Sequence, residues 1–205
     1  AKPTYEGAFR YEAVAKFPYD INTNYLLADF LRSENEDYHA AFLYFHKALH
    51  ATDEAIKLVR EMEKRAPPND TSRIADINEL LNRYNNFRIR CKNQAAFSAA
   101  LGKIHLAQAL EDASESYNES RDRIDSHRYA DTYAFTIIQK AIADITQGKP
   151  VNDLKEIQKK VNEALTILYE GTEHAIDNKD YKGIPYLRTH KELGEEVLKW
   201  LNTLI

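Results

Sequence analysis

The sequence is poor in the residues that build disulfide frameworks and tight turns. It contains one cysteine, six glycines and six prolines in 205 residues. A single cysteine, Cys91, excludes an internal disulfide network and a cysteine-based zinc cluster, and a thiol at the centre of an apolar stripe is typical of an inert core residue. So few glycines and prolines argue against a β-sandwich or a β-barrel, whose many turns need these residues. The composition therefore favours long, uninterrupted elements.

Long apolar runs and a strong excess of one charge are also missing. No run approaches the roughly 18–20 apolar residues that a membrane-spanning helix requires. The net charge of −4 gives no global attraction to nucleic acid or to anionic lipid, and we expect no nucleic-acid partner. With 43% hydrophobic residues the chain is too apolar for global disorder, and its length suits a single domain.

What the sequence does contain is apolar residues at helical spacing, interrupted by a few strong stop signals. Pro67 and Pro68 end one such stretch, and Gly148-Lys149-Pro150 ends another. Residues 1–21 are rich in aromatics and predict an irregular arm that docks its rings onto the rest of the fold. The remaining periodicity predicts five helices, at 22–66, 71–125, 128–147, 152–177 and 186–204.

These segments predict an all-α protein, with residues 1–205 forming a single helical domain. Its leading architecture is an antiparallel bundle of about five helices, two of them very long. Ser33 with Glu36 has the form of a capping box, so 22–66 is either one bent helix or a helical hairpin. Gly102 marks a point at which the helix predicted over 71–125 can kink.

A short α-solenoid is the alternative architecture. The pattern Tyr38-x-x-Ala41-x-x-x-Phe45-x-x-Ala48-Leu49 resembles the second helix of a tetratricopeptide repeat. The resemblance covers about a dozen residues and does not recur at the repeat period of about 34 residues. It implies a helical repeat at most locally.

Three histidines follow one edge of the first predicted helix. His46 and His50 are four residues apart, which is a spacing at which two imidazoles can bind one metal ion, and Glu54 lies one turn further on. His39 is about two turns before His46 and therefore cannot join the same ion. The alternatives are a solvent-facing polar edge, a metal- or haem-binding site centred on His46 and His50, and a pH-sensing group.

The second predicted helix changes charge along its length. Between Glu79 and Glu111 there are no acidic residues, and several basic ones occur there, whereas the part after Glu111 is mainly acidic. Such polarity suits antiparallel self-association, in which the basic half of one copy meets the acidic half of another. Arg83, Arg90 and Lys103 are alternatively candidates for binding an anion or a partner. Arg88 falls in the apolar sector and should be at least partly buried.

The common catalytic and cofactor signatures are missing from the sequence. It has no Gly-x-x-x-x-Gly-Lys loop, no Gly-x-Gly-x-x-Gly, no Gly-x-Ser-x-Gly, no His-Glu-x-x-His and no EF-hand loop. We therefore predict a non-enzymatic helical protein–protein interaction module that binds a protein partner or itself. The alternative function is a metal- or haem-binding bundle at the His39, His46 and His50 edge; otherwise no cofactor is predicted.

The chain begins at Ala1 rather than methionine. We expect that a signal peptide, a tag or an upstream domain has been removed. The residues leave the compartment open, and removal of a signal would favour an exported or periplasmic protein.

Overall fold

The computed structural model describes residues 5–205, and over that range it contains eight α-helices and no strands. The helices are α1 Tyr5–Lys16, α2 Ile21–Ser33, α3 Tyr38–Arg65, α4 Thr71–Gly102, α5 Leu106–Glu119, α6 Ser126–Thr146, α7 Val151–Asp177 and α8 Ile184–Leu204. The all-α prediction is confirmed, and the predicted number of about five helices is wrong. None of the described helices has the length and apolar character needed to cross a bilayer.

The N-terminal part of the chain contains more helices than predicted. The arm predicted over 1–21 is helical from Tyr5 to Lys16, and its first four residues lie outside the described range. The segment 22–66 forms the hairpin alternative, because α2 ends at Ser33. The α3 cap is Asp37, whose carboxylate accepts from the Ala40 amide at 3.0 Å, and not the predicted capping box.

The long helix predicted over 71–125 is also interrupted. Helix α4 ends at Gly102, and Lys103 next to it adopts a left-handed conformation with φ of 53°. The Ile104 amide then bonds the Ala99 carbonyl at 3.0 Å, a pattern that closes a helix C-terminus. Glycine usually occupies that left-handed position, so a lysine there gave no stop signal in the sequence.

The contacts divide the chain into two compact units, residues 1–95 and 96–205. In unit 1, α2 and α3 pack as a hairpin, and Tyr25 lies between Phe45 and Phe87 with ring centroids 5.2 and 5.1 Å away. Cys91 is buried in this unit, and its burial raises the pKa of the thiol to about 12. The inert core thiol expected from the sequence agrees with this environment. The single-domain interpretation and the solenoid alternative stay predictions.

Unit 2 is built around α6, which packs against α5, α7 and α8. Its apolar core is formed mainly by α6, α7 and α8, with Ile138, Leu168 and Leu201 fully buried. Consecutive helices run antiparallel, so the N-terminal end of α6, the C-terminal end of α7 and the beginning of α8 meet. Helix α8 approaches its neighbours closely at Gly194, where a Cβ would lie 2.9 Å from Leu165 Cδ2 and 3.1 Å from Ile138 Cδ1. This meeting of helix ends positions the site described next.

Candidate functional site

The three histidines predicted as a possible metal site stay on one helix. His39 and His50 are exposed, and His46 is half-buried. The His46 ring packs edge-on against Phe42, with centroids 4.4 Å apart. The three histidines therefore follow one another along α3, and the imidazole of His46 contacts an aromatic ring.

The predicted neighbour of these histidines has another partner. Glu54 is exposed and accepts a hydrogen bond from Lys57 at 2.6 Å, which holds the pKa of the Glu54 carboxyl below its ordinary value. Within residues 5–205 no group of three or more His, Cys, Asp or Glu side chains lies close enough together to hold a metal ion. Metal binding by His46 and His50 stays a prediction.

The basic residues predicted as an anion or partner site lie in different units. Arg83 and Arg90 are exposed on the part of α4 that belongs to unit 1, whereas Lys103 is exposed in unit 2. Arg88 is half-buried, as predicted. Because the helix is interrupted after Gly102, the basic and acidic stretches occupy two helices, α4 and α5, rather than one.

A polar cluster that the sequence did not reveal lies where the ends of α6, α7 and α8 meet. Its centre is His127, whose side chain is only 1% exposed. His127 Nε2 lies 3.0 Å from Asp180 Oδ2, so this ring N–H donates to the carboxylate. Arg128, the next residue, donates to the same oxygen from Nη2 at 2.6 Å and from Nε at 3.1 Å. We call these groups, together with Ser126, His174 and Asn178, the histidine cluster.

The electrostatics of the histidine cluster are dominated by Asp180. Hydrogen bonds from Arg128 and then from His127 lower the pKa of Asp180 to about 2, against an ordinary value of 3.8. The carboxylate is therefore ionised at neutral pH, and it ties two consecutive residues of α6 to the loop between α7 and α8. Charge-assisted hydrogen bonds of this kind are stronger than neutral ones.

The local sequence after α7 explains how Asp180 reaches α6. Lys179 is left-handed with φ of 57°, and the Lys179 and Asp180 amides bond the carbonyls of Ile176 and Ala175 at 3.0 and 2.9 Å. This pair of bonds is the Schellman motif, which reverses the chain directly after a helix. Gly183 then passes against the imidazole, since a Cβ there would lie 3.2 Å from His127 Cδ2. The small residue allows the loop to close over His127.

A second imidazole completes the histidine cluster without forming a catalytic relay. His174 lies with its ring centroid 5.6 Å from that of His127, and its Nε2 is 3.2 Å from Ser126 Oγ. The hydroxyl thus contacts one histidine while Asp180 bonds the other. A serine–histidine–aspartate relay needs both partners on the same imidazole, so this arrangement does not activate a nucleophile.

A second histidine–aspartate pair lies further along the α6–α8 seam. His190 Nδ1 is 2.7 Å from Asp131 Oδ1, and the His190 ring stacks on Phe135 with centroids 4.1 Å apart. His190 is buried, with a side chain 10% exposed. The His190–Asp131 pair links α8 to α6, and the His127–Asp180 pair links the loop before α8 to α6. Together the two pairs hold α8 and its preceding loop against α6.

Large exposed apolar side chains come from the same helix ends and loop that carry the histidine cluster. They are 49% to 73% exposed and come from the turn before α6, the last turn of α7, the loop and the first turn of α8. They are Ile124, Ile176, Tyr181 and Tyr186. We call these four side chains the apolar end surface.

Sequence reasoning missed this site because its residues are about 50 positions apart in the chain. His127 and Asp180 have no local spacing that predicts their contact, and only the antiparallel pairing of α6 and α7 brings them together. The usable signal was the gap between the helices predicted over 152–177 and 186–204, which contains Asp180 and Tyr181 and is followed by Tyr186.

Comparison of the chain with protein-family models, with curated proteins and with solved structures finds no match.

Proposed function

We propose that this chain is a non-enzymatic helical interaction protein that associates with a second copy of itself through the apolar end surface of unit 2. The observation that carries the proposal is the exposure of Ile124, Ile176, Tyr181 and Tyr186 at one end of three packed helices. Tyrosine is enriched at protein interfaces and among the residues that contribute most to binding, and a group of large exposed apolar side chains differs from single exposed ones.

The histidine cluster supports the proposal because it holds the surface in place. Tyr181 follows Asp180, which is bonded to Arg128 and to the buried His127. Tyr186 lies three residues after Gly183, which packs directly on the His127 ring. A surface fixed before contact loses little conformational entropy on association, and this strengthens binding.

The charges around the apolar end surface favour a second copy over a strongly charged partner. Residues 121–128 and 173–188 contain six Lys or Arg and five Asp or Glu. Asp177, Lys179 and Lys182 are exposed, close in sequence and of both signs. In a two-fold interface each group of one copy meets a different group of the other, so a mixed patch can pair unlike charges with itself. This arrangement replaces the single charge-polarised helix predicted from the sequence.

Sedimentation velocity over a range of protein concentrations tests the proposal. We expect a reversible dimer for the unmodified chain, and a shift towards monomer when Tyr181→Ser and Tyr186→Ser are combined. Tyr19→Ser is the matched control, because Tyr19 is a highly exposed tyrosine of unit 1, and it should leave the dimer unchanged. A strict monomer at the highest concentration, or equal effects of the control and the double variant, would rule the proposal out.

A further inference from the structure

A cavity of about 450 Å³ opens between α5, α6 and α7, separate from the apolar end surface. Its size lies within the range of about 300–1,000 Å³ that is typical of small-molecule sites. The side chains that matter for its chemistry are two tyrosines, one arginine, two glutamates and one threonine. They are Tyr117, Tyr133, Arg121, Glu163, Glu170 and Thr166.

The aromatic part of this cavity is a stacked pair. Tyr117 and Tyr133 have ring centroids 5.5 Å apart and ring planes inclined by 26°, and both are half-buried. The Arg121 guanidinium carbon lies 5.3 Å from the Tyr117 centroid. The faces of such rings carry negative potential and attract cations, and Arg121 already uses one of them in this way.

The opposite wall of the cavity is acidic. On α7, Thr166 lies three residues after Glu163 and Glu170 lies seven residues after it. These side chains therefore share one helix face, and all three line the cavity. Neither glutamate forms an ion pair with a residue in the described part of the chain. Burial raises the pKa of the Tyr117 hydroxyl, Arg121 opposes this, and Glu170 and Glu163 add to it, which places both carboxylates within electrostatic reach of the ring.

Two carboxylates against one guanidinium give the cavity a net negative charge, which disfavours an anionic ligand.

A second cavity, of about 230 Å³, differs from the first in its charges and in its lining. It also has acidic and basic side chains, but Lys140 and Asp144 pair with each other at 2.5 Å across its wall and no aromatic ring lines it. Of these two cavities, the first one combines carboxylates that form no ion pair with aromatic faces.

We propose that the cavity formed by Tyr117, Tyr133, Glu163 and Glu170 binds a small organic cation, carrying an ammonium or guanidinium group. The charged group pairs with the carboxylates of α7, and its alkyl part lies against the stacked tyrosines. Two sources supply this chemistry, a free alkyl amine and the side chain of a lysine or arginine in a peptide.

Isothermal titration calorimetry with the full chain at physiological salt tests this proposal. The free-cation arm uses putrescine and choline, and the peptide arm uses Nα-acetyl-lysine methylamide, which keeps its charged ε-ammonium group. We expect saturable binding of at least one of these probes, and the arm that binds more tightly identifies the source. The isosteric double variant Glu163→Gln/Glu170→Gln should weaken binding by about tenfold or more, because it removes both charges without changing shape.

Two further variants keep the test interpretable. Glu156→Gln removes a carboxylate from the second cavity and should leave affinity unchanged. Tyr133→Leu removes the ring face and should weaken binding severalfold while the far-ultraviolet circular dichroism stays that of the unmodified chain. Absence of binding by all three probes at millimolar concentration, or binding that is unchanged in the glutamate double variant, would overturn the proposal.

Discussion

The two groups of histidines in this chain contrast in how they are assembled. His39, His46 and His50 lie at helical spacing along α3 of unit 1, and two of the three are exposed. His127 and His190 of unit 2 come from different helices, are buried, and each bonds an aspartate at least 53 residues away. The regular spacing of the α3 histidines is therefore easy to recognise in the sequence, although these side chains do not meet at one site. The histidines of unit 2 do meet aspartates in the fold, but nothing in their spacing along the sequence indicates it.

The physical reason for this contrast is which face of each helix is covered. Helix α3 buries Phe42, Phe45 and Leu49, and two of its three histidines, His39 and His50, are exposed to solvent. Helix α6 is covered by three other helices, and its residues His127 and Asp131 find their partners inside the fold. The buried imidazoles of His127 and His190 therefore each pair with an aspartate.

The largest expected effect comes from removing the carboxylate that holds His127. Asp180→Ala leaves the buried His127 N–H without an acceptor, and we expect a loss of about 2 kcal/mol in the free energy of unfolding. Urea denaturation followed by circular dichroism measures it. Glu54→Ala, beside the exposed histidines of α3, should leave the urea midpoint unchanged. Equal effects of the two substitutions would erase the difference between the groups.

The pH dependence of the same pair has a defined sign. The pKa of Asp180 is lowered to about 2 in the folded chain, against 3.8 ordinarily. Its ionised form therefore stabilises the fold above about pH 4, and this contribution is lost as the pH falls towards 2. The difference in unfolding free energy between the unmodified chain and Asp180→Asn should shrink over that window. A difference that stays constant from pH 6 to pH 2 would contradict the assignment.

Asp131→Ala tests the second pair in the same manner with a smaller effect. The His190 side chain is 10% exposed and that of His127 is 1% exposed, so water can replace part of the lost bond. We expect a loss of about 1.5 kcal/mol by urea denaturation. A loss larger than that of Asp180→Ala would show that burial of the imidazole does not determine which of the two pairs contributes more to stability.

The smallest expected effect sharpens the account of the loop that carries Asp180. Lys179→Gly removes the cost of a left-handed non-glycine residue and should stabilise the chain by about 1 kcal/mol. Lys182→Gly in the same loop is the matched control and should give no gain, because Lys182 is not left-handed. Thermal unfolding of both variants measures the difference, and a gain in the control alone would contradict the Schellman assignment.

Much of the helical fold is predictable from particular stop signals, and the site is not. Pro67-Pro68 and Gly148-Lys149-Pro150 ended helices close to the observed positions. The break after Gly102 was only marked as a kink, because the residue that turns the chain is Lys103 and not a glycine. The contact of His127 with Asp180 depends on how α6 and α7 pack, and helical periodicity carries no information on which helices become neighbours.

Cross-linking at the end of unit 2 tests the proposed self-association most directly. Cys91 is buried with its thiol pKa raised to about 12, so a cysteine introduced at the surface is the reactive one. With a short bis-maleimide, Lys182→Cys beside the apolar end surface should give a covalent dimer. Lys64→Cys, at an exposed position of α3 in unit 1, should not. Equal cross-linking at both positions, or none at Lys182→Cys, would contradict association through this surface.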